Sequence, residues 1–496
     1  MNLHGLFDKF YYLFLGFVAH LISIGAYLIV VASRFIVNFL LDKNEYRMME
    51  PGSETIMAED TKGSNVLYVL KCTGTPNVDK IVDKLYRFVN YETTLVSGGR
   101  VDTPYRPFEK LGYRIVKKLG TFCWNVNHNF RAEDHLVIDK VNRSLDVEIH
   151  ERCEVLTDTI YANHKPQWEM HILDRDESKE YAIVWSVHHS YTDGTSFTQA
   201  IRYAFADDLF PIKIDALEWN RKEPSFCSKI TTVIETLLLC SIGSGWFASV
   251  YGQCLGQAHV RENDLTEMRG RSHCRAVTLN LTELKTIQRK LSKENPVRLV
   301  SVLFAFVSAA FERAISSSKL EKPSTILAGT VEADYPYKSL ELCVNVYTLW
   351  FDLPLNVKPL QERLQLIDTR IRHATTRLGM RLLKIATNLV GAVISLIPQL
   401  FELSGSLTES TYISNMVGPQ NYFTIFGGDL VTAMYVFSPI VIEEVVAIDS
   451  YTYGEEVTLG LVMPDRVIRK LPGFLDDFVA GIEDEMARYI ELHKTK

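Results

Sequence analysis

Residues 183–197 read IVWSVHHSYTDGTSF, an apolar run that meets two adjacent histidines and then an Asp-Gly pair. The run starts at Tyr181 and carries no charge up to Val187, as expected for a strand covered on both faces of its sheet. Asp193-Gly194 predicts a turn, and the residues that follow are spaced like a helix. The stretch therefore predicts a buried strand, a turn and a helix, as in an α/β domain.

The two histidines admit a chemical and a structural interpretation. Successive side chains on a strand point to opposite faces, so His188 and His189 cannot both face one pocket. Adjacent strand histidines are a poor pair of ligands for one ion, and we predict no metal site. A neutral imidazole near pH 7 is a suitable general base for a hydroxyl group. The structural alternative is a pair of histidines that are simply hydrogen-bonded at the end of a strand.

The heptapeptide HHSYTDG matches the HHxxxDG signature of the acyltransferase superfamily that includes chloramphenicol acetyltransferase. Its surroundings resemble one branch, the bifunctional wax ester synthase/diacylglycerol acyltransferase family. This resemblance covers residues 60–490 in order and is carried by WNVNHNFRAEDHLV (124–137), KPQWEMHILD (165–174), YISNMVGPQNYFTIFGGDLVTAMYVFSPI (412–440) and MPDRVI (463–468).

The resemblance implies a role for each residue of the motif. His189 would take the proton from an acceptor alcohol as that alcohol attacks an acyl-CoA thioester. His188 and Asp193 would support the site, Asp193 either by fixing the local geometry or by pairing with a distant arginine. Gly194 would allow the turn.

Further positions lie in the second half of the chain. Asn415 in SNMVGP would give polar support to the site, and its alternative role is to cap the bend at Gly418. The sequence departs from the family pattern at Val417, where a proline is usual. It departs again at Val300-Ser301, where many bacterial members carry an Asn-Asp pair at the start of a helix.

Length and composition set further bounds. A chain of 496 residues is long enough for two cores, because single cores stop growing near roughly 250–300 residues. The net charge of −7, without a basic stripe, argues against a nucleic-acid partner. Eight scattered cysteines without a C-x-x-C pair predict buried thiols in a reducing compartment.

The N-terminus contains 24 residues, 10–33, without Lys, Arg, Asp or Glu. Such a run is long enough to cross a bilayer. Basic residues are more frequent on its C-terminal side, which places the body in the cytosol. A re-entrant hairpin that bends near Gly25 would also leave the body cytosolic, and a buried helix of a soluble protein is the third interpretation. Residues 231–256 are also apolar, and they predict either a membrane-associated segment or a crossover helix.

The predicted fold is α/β, with two chloramphenicol-acetyltransferase-like domains behind an N-terminal transmembrane or membrane-embedded helix. The predicted division is an anchor at 1–45, a first domain at 55–215 with the HHxxxDG motif, an apolar connector at 216–271 and a second domain at 272–490. A polar linker, residues 42–64, would join the anchor to the body.

The predicted activity is transfer of a long-chain acyl group from acyl-CoA, the co-substrate, to a long-chain alcohol or a diacylglycerol, with no other cofactor. The predicted location is the endoplasmic reticulum membrane, with membrane lipid as a partner and the catalytic body facing the cytosol. The alternatives are an enzyme that acylates a sterol or another small alcohol, and a silent homologue that binds lipid. The oligomeric state is left open.

Overall fold

The structure is a computed structural model. Most of the predicted anchor, the predicted connector apart from residue 271, and the apolar residues 386–401 lie outside the described residues. The structure describes residues 25, 28–29, 32–50, 53–59, 64–97, 100–126, 130–207, 271–291, 296–317, 323–333, 341–357, 360–375, 411–440 and 446–494.

The described part of the chain alternates between strands and helices. The strands are β1 (Tyr46–Met48), β2 (Asn65–Thr73), β3 (Thr93–Ser97), β4 (Arg100–Tyr105), β5 (Arg114–Lys118), β6 (Thr121–Asn125), β7 (Leu136–Lys140), β8 (Trp168–Arg175), β9 (Glu180–His188), β10 (Ser272–Asn280), β11 (Thr325–Ala333), β12 (Val346–Pro354), β13 (Thr411–Val417), β14 (Thr424–Ile425), β15 (Asp429–Phe437), β16 (Val446–Tyr453) and β17 (Glu456–Pro464). The helices are α1 (Ser53–Glu59), α2 (Val78–Val89), α3 (Leu145–Thr157), α4 (Gly194–Phe205), α5 (Leu281–Leu291), α6 (Leu299–Ser317), α7 (Leu360–Ala374), α8 (Asp465–Lys470) and α9 (Phe474–Lys494).

Two six-stranded sheets organise the molecule. The first has the order β14-β15-β2-β9-β8-β7, and the second has the order β10-β17-β16-β13-β11-β12. Each is mixed: β7 and β8 run parallel in the first sheet, and β13 runs parallel to both of its neighbours in the second. Each sheet contributes to its own apolar core. The predicted α/β class is confirmed.

The opening stretch forms the centre of the first sheet. β9 pairs with β2 on one side and with β8 on the other, and Tyr181 to Val187 are all buried. This agrees with the prediction from the apolar run. α4 begins at Gly194, directly after the turn.

The division of the chain between the sheets does not follow chain order throughout. β14 and β15 lie within 272–490, the range predicted for the second domain, yet β15 pairs with β2 in the first sheet. β15 also passes close to β17 of the second sheet. A side chain at Gly460 of β17 would place its Cβ 2.0 Å from the carbonyl oxygen of Val436. The glycine therefore permits this close approach of the two sheets.

The described part of the predicted linker 42–64 is folded onto the body. β1 pairs with β6, and Met49 is fully buried. The carboxylate of Glu54 in α1 forms a salt bridge with Lys110. The polar composition of residues 42–64 suggested a linker. In the structure, polar side chains of this segment form salt bridges with the first domain. Only the tertiary structure supplies those partners.

One helix among the described residues is long and apolar enough to cross a membrane, Leu299–Ser317, and 72% of its most apolar window is buried inside the protein. It packs against α7 and α9 and contributes Phe304, Phe306 and Phe311 to the second core.

Candidate active site

The end of β9 is fixed by backbone hydrogen bonds on both sides. The N–H of His188 donates to the carbonyl of Gln167 at 3.0 Å, and the N–H of His189 donates to the carbonyl of Ser64 at 2.6 Å. Gln167 precedes β8 and Ser64 precedes β2, the two strands that pair with β9. The histidine pair therefore has a defined position at the C-terminal end of a central strand.

The hydrogen bond that His189 makes determines which of its two ring nitrogens carries the proton. Its side chain is buried, and Nδ1 lies 3.0 Å from the carbonyl oxygen of Thr192. A carbonyl only accepts, so Nδ1 carries the proton in the neutral ring and donates it to Thr192. Nε2 is then the basic nitrogen. Among the described residues, no hydrogen bond occupies it.

The environment of His189 also favours the neutral ring. Burial lowers the pKa of this imidazole below its ordinary value of 6.5, because the charged form loses hydration. The charge of Asp193 and the bond to Thr192 act in the opposite direction and are the weaker influences. A buried, neutral imidazole with a free Nε2 has the properties of a general base.

His188 has a different environment. It is only partly buried, and its Nδ1 accepts a hydrogen bond from the N–H of Ser190 at 3.3 Å. It stands opposite Asn65 of β2 in the strand register. The His188 ring is therefore bonded to the backbone of Ser190, whereas the His189 ring is bonded to the backbone of Thr192.

Asp193 caps α4 and ties it to the second half of the chain. Its carboxylate accepts from the N–H of Ser196 at 2.8 Å and from the N–H of Asn345 at 2.9 Å. Its own N–H donates to the carbonyl of Cys343 at 2.8 Å. The residue is fully buried. The bond to Ser196 fixes the local geometry, and the bonds to Cys343 and Asn345 connect the turn to the second half of the chain through backbone groups.

The structure suggests a reason for the glycine at position 194 that differs from the predicted one, the turn. Its backbone is already helical, and a Cβ atom there would lie 1.9 Å from the sulfur of Met416. A side chain at this position would force Met416 of β13 to move, because β13 of the second sheet touches the start of α4. Sequence alone could not identify Met416 as the neighbour.

The SNMVGP segment reaches the site through Met416 rather than through Asn415. Met416 is buried against Gly194, whereas Asn415 is exposed and lies on the opposite face of β13. Asn415 pairs in register with Ser450 of β16. Its polar support of the site stays a prediction. Gly418 follows the end of β13, and a Cβ there would lie 2.3 Å from the carbonyl oxygen of Thr452.

Val300-Ser301 stands where the family usually has an Asn-Asp pair, and the carboxylate of Asp368 lies next to it. Ser301, in the first turn of α6, donates through its hydroxyl to Asp368 at 2.7 Å. The N–H of Arg298 donates to the same carboxylate oxygen at 3.1 Å. Asp368 belongs to α7, so another helix places a negative charge at the start of α6, where the helix dipole favours it.

The described residues contain no cluster of three or more histidine, cysteine, aspartate or glutamate side chains placed to bind a metal ion.

A two-sheet fold with a buried histidine at a strand end, followed by a capping aspartate, fits the class predicted from the sequence, an O-acyltransferase. The catalytic-domain model of the wax ester synthase/diacylglycerol acyltransferase family matches residues 91–231, and its C-terminal-domain model matches residues 345–484. The chain belongs to this family, as its sequence blocks predicted.

Individual relatives agree with this assignment. The chain is 28% identical over 133 residues to wax ester synthase/diacylglycerol acyltransferase 5 of Arabidopsis thaliana. The aligned segment covers 24% of this chain and 26% of that relative. The matched segment thus spans about a quarter of that protein's length. The solved wax ester synthase/diacylglycerol acyltransferase of Marinobacter aquaeolei VT8 superimposes with a TM-score of 0.55 at 17% identity, covering 90% of this chain and 100% of that one.

A starter condensation domain of rhizomide synthetase, solved with C8-CoA, has the same fold. Its TM-score is also 0.55, at 10% identity, over 89% of this chain and 95% of that one. At such identities the two solved structures establish the two-domain architecture.

Proposed function

We propose that this protein is an acyl-CoA-dependent O-acyltransferase that transfers a long-chain acyl group to a long-chain alcohol, to diacylglycerol, or to both. The observation that carries the proposal is the geometry of His189. Its Nδ1 proton is committed to Thr192, which leaves Nε2 as a base in a chain that contains both domains of the family.

The reaction follows from this geometry. Nε2 of His189 takes the proton of the acceptor hydroxyl as its oxygen attacks the carbonyl carbon of the acyl thioester. The carbon–oxygen bond forms and, as the tetrahedral intermediate collapses, the carbon–sulfur bond breaks. The proton on Nε2 then passes to the departing CoA thiolate, and the imidazole returns to its neutral state. An ester and free CoA are the products, and no other cofactor is consumed.

Acyl-CoA as the donor is supported by the solved condensation domain, which was crystallised with C8-CoA. That protein shares the fold with this chain but only 10% of its sequence. The acceptor, a long-chain alcohol or diacylglycerol, is inferred from the family.

The protein acts at a membrane in this proposal, with the endoplasmic reticulum as the compartment and the body in the cytosol. Residues 32–40 are helical, and four large apolar side chains on one side of them are exposed by 56–81%: Phe35, Ile36, Phe39 and Leu40. They continue the uncharged run 10–33. A membrane is the surface that such a continuous apolar segment fits.

The activity is tested by incubating membranes that contain the protein with labelled palmitoyl-CoA and a panel of acceptors. The panel contains hexadecanol, dioleoylglycerol, cholesterol and a short-chain alcohol, and the lipids are then separated. We expect labelled wax ester, triacylglycerol, or both. Label in cholesteryl ester alone would favour the sterol alternative. No ester with any acceptor, from a folded protein, would leave the silent lipid-binding alternative.

The membrane proposal is tested by two truncations. Removal of residues 1–40 should release the body from carbonate-washed membranes in a folded form, because β1 and α1 remain. Removal of residues 1–59 should instead destabilise the body, because it takes away Met49 and leaves Lys110 without Glu54. Loss of one partner from a buried pair costs about 3–5 kcal/mol.

Thermal unfolding of the two truncations distinguishes these outcomes, with the full chain in detergent as the reference. Equal melting temperatures for both truncations would contradict the structural role of β1 and α1. Full retention of the shorter deletion in the membrane pellet would show that another part of the chain attaches the protein.

A further inference from the structure

Residues 341–345 form a strap between the two halves of the molecule. Leu342 is fully buried in the first core, although it belongs to the chain after the connector. The backbone of Cys343 accepts from the N–H of Asp193, and the N–H of Asn345 donates to the Asp193 carboxylate. The hydroxyl of Ser196 also donates to the Cys343 carbonyl at 3.0 Å. The strap therefore holds both the cap and the first turn of α4.

The strap is in turn held by Lys110. Its ammonium group donates to the carbonyl of Leu342 at 2.9 Å and lies 2.5 Å from the carboxylate of Glu54. The Glu54 side chain is only 4% exposed and also accepts from the N–H of Glu50 at 2.8 Å. Lys110 also lies over the ring of Trp124, 5.6 Å from its centroid. The ammonium group thus has fixed partners on several sides.

These contacts make a continuous series from the N-terminal segment to the catalytic turn. Glu54 orients Lys110, Lys110 fixes Leu342, and the next residues of the strap fix Asp193. Asp193 lies one residue after Thr192, whose carbonyl determines the tautomer of His189. A shift of the strap would therefore move the group that makes Nε2 basic.

We propose that Lys110, held by Glu54, is a positioning residue for the acyl transfer, because it sets the strap 341–345 and through it the turn that carries His189. Lys110 touches neither the acyl donor nor the acceptor in this proposal. Its effect is on the placement of the base, so the inference rests on the proposed function.

The effect should appear in turnover rather than in substrate affinity. A displacement of about 1 Å at a reacting group can cost roughly 100-fold in rate. We expect Lys110→Met to lower kcat by roughly 10- to 100-fold with KM for acyl-CoA within about twofold, because orientation is lost and binding surface is not. Lys110→Arg should restore most of kcat, since a guanidinium can donate to both Glu54 and Leu342.

The chain offers a closely matched control in Lys165. Its ammonium group lies 2.8 Å from Glu169 and 2.9 Å from the carbonyl of Asp134, and its side chain is 22% exposed against 20% for Lys110. Neither Glu169 nor Asp134 belongs to the strap. Lys165→Met should therefore leave kcat within about twofold of wild type, although it removes the same kind of lysine.

Hydrogen exchange gives a measurement that does not depend on activity. The amides of Asp193 and Asn345 donate within this network, so their exchange should be faster in Lys110→Met and unchanged in Lys165→Met and Lys110→Arg. All assays are run on the full chain well below the melting temperature of each variant. Unchanged exchange in Lys110→Met, unchanged kcat, or an equal loss of kcat in Lys165→Met would overturn the proposal. A wild type that makes no ester while exchange responds as expected would instead reject the proposed function.

Discussion

Replacing His189 with alanine should reduce ester formation by roughly 10²- to 10⁴-fold, the range that a general base supplies. The alcohol has a pKa far above neutrality, and without Nε2 it keeps its proton during the attack on the thioester. The variant should still fold, because it loses one hydrogen bond, from Nδ1 to Thr192, at a cost of about 1 kcal/mol. Initial rates with saturating acyl-CoA measure the loss.

His150 provides the control. It is a histidine of α3 whose pKa is also lowered by burial, and its Nε2 is buried without a hydrogen-bond partner among the residues that the structure describes. His150→Ala removes a comparable imidazole away from the end of β9 and should leave kcat within about twofold of wild type. If His189→Ala retains more than about a tenth of wild-type turnover, the imidazole is not the base. The heptapeptide would then mark the fold alone.

Replacing Asp193 with alanine should lower the free energy of unfolding by about 2–4 kcal/mol and reduce activity as well. The estimate combines the loss of a helix cap, about 1 kcal/mol, with the cost of leaving the partly buried Asn345 N–H unpaired, about 1–3 kcal/mol. Activity should fall even where the variant is folded, because the turn that holds His189 loses its carboxylate bond to the second half, although the bonds to the Cys343 carbonyl remain. Urea unfolding and initial rates at low temperature measure the two effects separately.

Asn77 is the matched control for the loss of a cap. Its side chain caps α2 by accepting from the N–H of Lys80 at 3.0 Å, in an exposed position. Asn77→Ala should cost about 1 kcal/mol and leave turnover unchanged. The interpretation fails if Asp193→Ala is no more destabilising than Asn77→Ala, because the bond to Asn345 would then contribute nothing measurable.

The second half also contains a residue next to the site that the sequence did not single out. The family pattern pointed to Asn415, but Met416 is the residue of SNMVGP that touches the start of α4. The alternation of side chains along β13 places the two on opposite faces. A sequence motif identifies a strand end reliably, whereas the face that each residue presents depends on which sheet covers it.

Local sequence was sufficient for the strand, turn and helix around His189. The apolar run from Tyr181 to Val187 favours a strand that is buried on both faces. Asp193 is of a residue type that is preferred as the N-cap of a helix. The same local patterns carried the family resemblance, including the identity of the second histidine as the predicted base. These features depend on neighbours within a few positions along the chain.

The tertiary structure alone decided what surrounds that base. It placed β15 in the first sheet, brought Met416 to Gly194, and folded β1 and α1 onto the body. Asp193 meets Asn345 across 152 positions, and Lys110 meets Leu342 across 232. No local pattern encodes such pairs, because a backbone N–H or carbonyl is present at nearly every residue and only the packing of the two sheets selects which ones meet.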